Sequence, residues 1–183
     1  AGLGGGSMNA STIIKFFISK NILKLSKKNL INLTREIGSD VELGIINKNK
    51  ILYANRNLFS TSRKIGLFVV VIKPNFGCST KKIYKGVKNF SSIKFTKNKI
   101  SYFSILNMKQ MQNDLEKVVY KYYPKLKKIK LFMEKLPNIY FARMTGSGSS
   151  IVGYFLSKNA AINASKLLKK KYKNYWCIQS KTI

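Results

Sequence analysis

The sequence has no histidine, only six acidic residues and only two cysteines among its 183 residues. Zinc and di-iron sites are built from histidine, cysteine and clustered carboxylates, so this composition predicts that the chain holds no such metal centre. Cys78 and Cys177 form no CxxC pair and have no metal-ligand spacing. We interpret both as reduced thiols, which predicts a cytoplasmic protein.

Long apolar runs are missing as well. No segment is long and apolar enough for a transmembrane helix, and no signal-peptide pattern is present. The chain is long enough for one domain or two small ones with a proper core. The expected partner is therefore a molecule in solution and not a membrane.

Negative charge is scarce, with 35 lysines and arginines against six acids and a formal net charge of +29. A field this positive favours polyanions such as RNA, acidic membranes or nucleotides. The lysines are, however, spread along almost every segment and mixed with asparagine and isoleucine, as AT-rich codons would produce. We therefore interpret most of these lysines as residues of solvent-exposed faces and not as a dedicated nucleic-acid-binding surface.

A polar segment at residues 55–64 suggests a boundary between two domains, residues 1–63 and residues 64–183. In the first domain, apolar residues recur at helical spacing over residues 13–23. Ser26 and Gly38 suit the N-cap and the stop of a second helix. The segments Val41–Ile46 and Ile51–Ala54 are predicted to pair as a hairpin across residues 47–50.

The second domain is predicted to run strand, three helices, two strands, helix, strand. The strands are expected at Leu67–Ile72, Asn138–Met144, Ile151–Phe155 and Tyr175–Ser180, and the helices from Ser79 to Val87, Met111–Tyr122, Pro124–Leu136 and Asn159–Lys173, with a loop at residues 89–100. This order predicts an α+β sandwich with helices on one face of an antiparallel sheet.

The glycine-rich stretch Gly2–Ser7 (GLGGGS) runs directly into a helical pattern. Free backbone N–H groups and the positive end of the helix dipole make such a turn a good anion site, and glycine lets a phosphate approach the backbone closely. The same letters also resemble a flexible linker. On this stretch alone, both interpretations stay open.

A second glycine loop, Thr-Gly-Ser-Gly-Ser-Ser at residues 145–150, lies between two predicted strands. It is of phosphate-binding size, although a tight hairpin would have the same composition. Neither loop contains the G-K-[ST] signature, which excludes a P-loop NTPase.

The six acids narrow the choice of a catalytic base. Glu36, Glu116 and Glu134 lie in helical patterns among lysines, where surface pairing explains them, and Asp114 suits a helix cap or first turn. Asp40 follows the glycine that ends a helix and precedes an apolar segment. It is therefore our candidate base, with a turn-forming aspartate as the alternative.

Four motifs occur in an order typical of one family. They are GLGGGSMNAST at residues 2–12, IGSDV at 37–41, QNDLE at 112–116 and RMTGSGSSIVGYF at 143–155. Together they make the chain similar to the GHMP kinases over almost its whole length. The resemblance implies an α+β fold, with a remnant of a ribosomal S5 domain 2-like N-terminal domain before a ferredoxin-like C-terminal domain.

The resemblance also implies an activity and its residues. The expected reaction is ATP- and Mg²⁺-dependent phosphorylation of the 2-hydroxyl of a methylerythritol linked to cytidine diphosphate, in the non-mevalonate route to isoprenoid precursors. Asp40 would be the base. Tyr84 would stack on the cytidine ring, with a core position on its helix as the alternative. The ATP-binding residues would be Gly2, Leu3, Gly4, Gly5, Gly6, Ser7 and Asn9, with Asn9 opening the helix, and the second loop would use Thr145, Gly146, Ser147 and Gly148.

The sequence departs from the family pattern in three places. Met8 replaces a common serine, and Glu42-Leu43 follows Asp40-Val41 where the family often has Pro-Phe-Phe. The family's N-terminal section, with its catalytic lysine and much of the adenine pocket, has no counterpart, so we expect the chain to be an incomplete and inactive fragment.

Two alternatives remain. Another GHMP kinase, of the homoserine or mevalonate type, is the nearer one, and the doubled glycines and QNDLE argue against it. A basic RNA-binding module is the other, supported by the lysine and aromatic residues of 117–135. The helical spacing of those aromatics favours a core role instead.

Overall fold

A computed structural model describes residues 3–53, 57–91 and 99–182. The chain forms two compact units that divide between Ser62 and Arg63. We refer to Gly4–Ser62 as the small unit and to Arg63–Ile183 as the large unit, and describe each by itself. None of the described helices is long and apolar enough to cross a bilayer.

The described residues of the small unit form three helices and one hairpin. These are α1 (Gly5–Ser19), α2 (Lys27–Ile37), α3 (Val41–Ile45), β1 (Asn49–Leu52) and β2 (Leu58–Thr61). The predicted caps of α2 are confirmed, because the Ser26 side chain accepts a hydrogen bond from the N–H of Asn29 at 3.2 Å and Gly38 ends the helix.

The packing of α1 on α3 holds the small unit together. The Ser11 hydroxyl on α1 lies 2.6 Å from the carbonyl oxygen of Val41, the first residue of α3. A Cβ atom at Gly44 would lie 2.6 Å from Ser11 Cβ and 3.0 Å from Met8 Cε. Only glycine at position 44 allows the two helices to come this close.

The hairpin prediction for the small unit is wrong in its first strand. Val41–Ile46 does not form a strand, because Val41–Ile45 is one turn of helix that buries Val41. The hairpin instead pairs β1 with β2, and β2 occupies part of the predicted polar linker. In an apolar run of six residues, helical spacing and strand alternation cannot be told apart.

The large unit contains β3 (Phe68–Lys73), α4 (Thr80–Gly86), a 3₁₀ turn (Lys99–Phe103), α5 (Ile105–Gln110), α6 (Leu115–Tyr122), α7 (Pro124–Glu134), β4 (Ile139–Met144), β5 (Ile151–Phe155), α8 (Lys158–Lys171) and β6 (Trp176–Lys181). The strands form an antiparallel sheet in the order β4-β5-β3-β6. This β-α-β-β-α-β arrangement is ferredoxin-like, as predicted.

The core of the large unit lies between this sheet and its helices. Its fully buried members include Ile72, Ile83, Leu126, Met133 and Phe155. The opposite sheet face carries a smaller cluster of Val69, Val71 and Val152, against which Tyr154 packs. Nineteen of the described residues are buried in the main core, so most of the apolar burial of the large unit occurs there and not in the smaller cluster.

One predicted helix of the large unit is wrong at its start, and one helix was not predicted. The helix expected over Met111–Tyr122 begins at Leu115, and α5 precedes it. The Asn113 side chain accepts the N–H of Leu115 at 3.0 Å, which separates the two helices. Most of the loop predicted at residues 89–100 lies outside the described residues.

Candidate active-site elements

The first glycine stretch leads directly into helix α1. Gly4 is the N-cap, with φ = 62°, and Gly5, Gly6 and Ser7 are the first helical residues. The first bond within the helix runs from the N–H of Met8 to the carbonyl oxygen of Gly4 at 2.9 Å. The three preceding N–H groups are therefore the free donors at the positive end of a 15-residue helix.

These donors are accessible. Leu3 to Gly6 are exposed, and a Cβ atom at Gly4, Gly5 or Gly6 would meet no atom within 4 Å. No side chain caps the helix. The prediction that Asn9 opens the helix is wrong, because Asn9 lies beyond the first turn, and Gly2 lies outside the described residues.

Asp40 is the residue before α3, and its side chain is exposed. Its carboxylate accepts a hydrogen bond from the Ser39 hydroxyl at 3.3 Å and does not cap the helix that follows. The carbonyl of the next residue, Val41, is bound by Ser11 of α1. Asp40 and the first turns of α1 therefore belong to one packed substructure.

Lys50 holds the other end of α3. Its Nζ atom donates to the carbonyl oxygens of Leu43 at 2.6 Å and Ile46 at 2.5 Å. These are carbonyls that a helix C-terminus leaves without partners. Burial lowers the pKa of the Lys50 ammonium, and Glu42 opposes that shift. The five-residue helix behind Asp40 is thus fixed at both ends.

The second glycine loop is a tight turn that follows β4. The N–H of Gly148 donates to the carbonyl oxygen of Thr145 at 2.8 Å, and the N–H of Thr145 donates to Ser150 at 3.0 Å. Gly146 and Gly148 have φ values of 47° and 81°, which a residue with a side chain adopts only at a cost. The composition predicted this turn, and the glycines are required by its backbone.

Polar contacts join this loop to the first residue of α4 and to the segment that precedes this helix. The hydroxyls of Ser147 and Thr80 lie 2.9 Å apart, and the Ser149 hydroxyl donates to the carbonyl oxygen of Phe76 at 2.7 Å. A Cβ atom at Gly148 would meet the Met144 sulfur at 3.0 Å. Gly146, in contrast, is exposed.

The QNDLE motif provides the contacts that sequence reasoning missed. The Asn113 amide donates to the carbonyl oxygens of Met144 at 2.9 Å and Gly146 at 2.8 Å. Glu116 accepts the N–H of Met144 at 2.7 Å and pairs with Lys130 at 2.8 Å. The prediction that Glu116 only pairs on the surface is therefore incomplete. Its place in a family motif was the available signal.

Asp114 occupies the N-cap position of α6, as predicted. Its carboxylate makes no cap hydrogen bond to α6 and instead accepts the backbone N–H and the hydroxyl of Ser91, both at 2.8 Å. Glu134 pairs with Lys130 at 3.4 Å, as expected of a helical surface pair.

Tyr84 lies on α4 with 52% of its surface exposed. It is therefore not a core residue, which was the alternative to a binding role. Its exposed ring is free to stack on a planar ligand, and the contact with a base stays a prediction.

Cys78 and Cys177 are both buried and free. Burial raises the pKa of each thiol. Among the residues that the structure describes, no group of three histidine, cysteine or acidic side chains could hold a metal ion.

The predicted site residues are divided between the two units. Gly4–Ser7, Asn9 and Asp40 belong to the small unit, and Thr145–Gly148 and Tyr84 to the large unit. Chemically, the small unit offers backbone donors for an anion and an accessible carboxylate. The large unit offers a constrained glycine loop and an exposed aromatic ring.

Comparisons with known proteins agree with one another. Residues 95–174 match the family model described as GHMP kinases C terminal. A protein of Pelagibacter ubique named 4-diphosphocytidyl-2-C-methyl-D-erythritol kinase is 49% identical over all 183 residues of the chain. The protein of that name from Petrotoga mobilis is 34% identical over 158 residues, or 82% of the chain. The chain spans 65% and 61% of the lengths of these two relatives.

Solved structures show the same fold. A crystal structure of 4-(cytidine 5'-diphospho)-2C-methyl-D-erythritol kinase superposes with a TM-score of 0.78 at 21% identity, covering all of this chain and 66% of the other. Homoserine kinase from Cytophaga hutchinsonii superposes with a TM-score of 0.61 at 14% identity, over 87% of this chain and 58% of the other.

Proposed function

We infer that this chain belongs to the GHMP kinase family, and on that premise we propose that the protein transfers a phosphoryl group from ATP to the hydroxyl of a small molecule. The proposed acceptor is 4-diphosphocytidyl-2-C-methyl-D-erythritol. The observation that carries the proposal is the 49% identity, over the whole chain, to a relative that bears the name of this kinase.

The accessible N–H groups at the start of α1 support ATP binding. They are donors at a helix N-terminus that has no side-chain cap among the described residues, and Gly5 and Gly6 carry no Cβ atom that would hinder a ligand. Phosphate oxygens are acceptors of the size and charge that such donors bind. Gly5, Gly6 and Ser7 would therefore bind the nucleotide phosphates and orient the terminal one.

The chain's few acids are compatible with Mg²⁺ that arrives with the nucleotide. Mg²⁺ commonly keeps several waters and takes one or two protein ligands beside substrate phosphates, so it does not require a cluster of carboxylates. Ser7 is the hydroxyl nearest in sequence to the free donors of α1. When bound, MgATP supplies the phosphoryl group and the cation that neutralises its charge.

Asp40 is the proposed base. Its carboxylate is exposed, and its one recorded hydrogen bond among the described residues comes from Ser39. It would accept the proton of the acceptor hydroxyl and hold that oxygen for in-line attack on phosphorus. The fixing of α3 by Ser11 and Lys50 keeps the backbone behind Asp40 in place.

The proposal is tested by a phosphoryl-transfer assay on the protein expressed from its complete gene. ATP and Mg²⁺ are supplied with 4-diphosphocytidyl-2-C-methyl-D-erythritol, homoserine or mevalonate in parallel reactions. We expect product only with the cytidine-linked alcohol. Turnover of homoserine or mevalonate instead would assign another GHMP kinase, and no turnover of any alcohol would overturn the proposal.

A salt titration of RNA binding addresses the remaining alternative. Binding that is tight and falls steeply with salt would favour the RNA-binding module. The core position of Val119, Leu126 and Ile129 argues against it, because the helices that carry the lysines of 117–135 pack on the sheet. We expect weak binding at physiological salt.

A further inference from the structure

We propose that Asn113 and Glu116 are positioning residues that hold the glycine loop of residues 145–150 in its working conformation. This proposal rests on the proposed function, because it assigns the loop to phosphoryl transfer. Neither side chain is expected to touch substrate, and both act through the backbone at the start of the loop.

Asn113 uses one amide group for three hydrogen bonds. Its Nδ2 donates to the carbonyl oxygens of Met144 and Gly146, and its Oδ1 accepts the N–H of Leu115. Two donors and an acceptor on one short side chain are found only in asparagine. Asn113 therefore joins the first turn of α6 to the last residue of β4 and to the loop.

Glu116 completes the arrangement one turn further along α6. Its carboxylate accepts the N–H of Met144, and Lys130 of α7 holds that carboxylate at 2.8 Å. Both backbone groups of Met144, the N–H and the carbonyl, are thus bound by side chains of one helix segment. Met144 is the last residue of β4, so the chain is fixed at the point where the strand ends and the loop begins.

The loop itself needs this support. Its two glycines have positive φ and would otherwise have wide conformational freedom. Among the described residues, the N–H groups of Gly146 and Ser147 donate to no protein acceptor. A ligand that uses them would lose affinity if the loop first had to be ordered.

The test compares Asn113→Asp with Asn107→Asp. The first change keeps the shape but removes the two N–H donors and places a carboxylate oxygen against carbonyl oxygens. The control residue, Asn107, is as partly buried as Asn113 and donates at 2.8 Å to the carbonyl oxygen of Ser101. Hydrogen exchange of the peptide containing residues 145–150 is measured for both, with kcat and KM for the alcohol acceptor.

We expect Asn113→Asp to speed hydrogen exchange of the loop. We also expect kcat to fall by up to about 100-fold, because a small displacement of the loop would misalign the reacting groups. Its melting temperature should stay close to that of Asn107→Asp. Glu116→Gln should retain most activity, because the amide oxygen still accepts the Met144 N–H, whereas Glu116→Ala should not. This rescue would not be expected if the charge of Glu116 alone mattered.

The outcomes separate this proposal from the proposed function. Unchanged exchange of the loop in Asn113→Asp would overturn the positioning role, whatever the activity. If hydrogen exchange of the loop is faster in Asn113→Asp but the wild-type protein phosphorylates no alcohol, the role of Asn113 in ordering the loop would be supported. Only the kinase assignment would then be overturned. An equal loss of kcat in Asn113→Asp and Asn107→Asp would overturn the positioning role as well.

Discussion

The hydroxyl of Ser11 lies 2.6 Å from the carbonyl oxygen of Val41 and joins α1 to α3 at a fully buried position. Replacing Ser11 by alanine leaves that carbonyl without its partner, which typically costs about 1 kcal/mol or somewhat more. We expect the free energy of unfolding of the small unit to fall by this amount in urea titrations. Thr12→Ala removes a hydroxyl that donates only to the carbonyl of Met8 on the exposed face, and serves as the control. An equal loss in both variants would contradict the role of Ser11.

Gly44 tests the same contact from the side of α3. A Cβ atom at this position would overlap Ser11, so Gly44→Ala should destabilise the small unit by about 1–3 kcal/mol. Gly6→Ala is the matched control, because its Cβ would meet nothing and alanine favours a helix. A neutral or stabilising effect of Gly44→Ala, measured by the same titration, would show that the helices can move apart.

Asp40→Asn tests the proposed base directly. The amide cannot accept the proton of the acceptor hydroxyl, and loss of a general base typically costs about 10²–10⁴-fold in rate. We expect kcat to fall by this factor while the affinity for a fluorescent ATP analogue stays unchanged, since the free donors of α1 are backbone groups. Asp114→Asn, in the large unit, is the control acid. Near-normal turnover in Asp40→Asn would remove the carboxylate from the mechanism.

Tyr84 provides a test of substrate recognition. Stacking of an aromatic side chain on a base is worth about 1–3 kcal/mol, so Tyr84→Ala should raise KM for the cytidine-linked alcohol by about 10-fold or more. Tyr84→Phe should be almost neutral. Leu131→Ala, which removes another exposed apolar side chain, is the control. An unchanged KM in Tyr84→Ala would mean that the ring does not contact the base.

Lys50 predicts a pH dependence of stability. Burial lowers the pKa of Lys50 in the folded state below its ordinary value, so between the two pKa values the unfolded chain binds more protons than the folded chain. Stability contributed through Lys50 therefore rises with pH in that interval. In urea titrations, the gap in unfolding free energy, taken as wild type minus Lys50→Met, should therefore increase from pH 8 to pH 10. A gap that narrows over this range would contradict the direction of the shift.

The sequence predicted best the elements that carry their own boundary residues. Ser26 and Gly38 enclose α2, Ser79 caps α4 through the N–H of Lys82, and Pro124 opens α7. The continuous β-branched run of β3 was equally clear, because a strand buried on both faces needs no alternation. In each case a local rule and the tertiary environment agree.

The predictions from sequence were wrong where contacts between distant residues determine the type or the boundary of an element. The turn of helix at α3 exists because Val41 is buried and its carbonyl meets Ser11, a residue 30 positions away. The separation of α5 from α6 depends on Asn113 and on Arg143, whose guanidinium donates to the carbonyl oxygen of Met108 at 2.6 Å. Periodicity within a window contains no information about such partners.

In the candidate site, too, features with a local sequence signal were predicted and features that depend on distant contacts were not. Glycine composition predicted the turn at residues 145–150, whereas the first glycine stretch, predicted as a loop over Gly2–Ser7, is helical from Gly5 onward. The scarcity of acids and the position after Gly38 made Asp40 the candidate base. The contacts of Asn113 could not be predicted from the sequence, because two of its three partners, Met144 at the end of β4 and Gly146 in the loop, lie more than 30 residues away. In the sequence, QNDLE served only to identify the resemblance to a family, whereas in the structure its Asn113 and Glu116 contact the backbone at the start of the loop.

The hydrogen bonds that Glu116 and Asn113 make with the backbone of Met144 also limit strand addition at the edge of the sheet. β4 is an outer strand, and outer strands can pair with a second molecule and start aggregation. At Met144, the N–H and the carbonyl oxygen are already taken by Glu116 and Asn113, so an incoming strand finds no partners at that end. The side chains that contact the start of the loop therefore also block the addition of a strand at this end of β4.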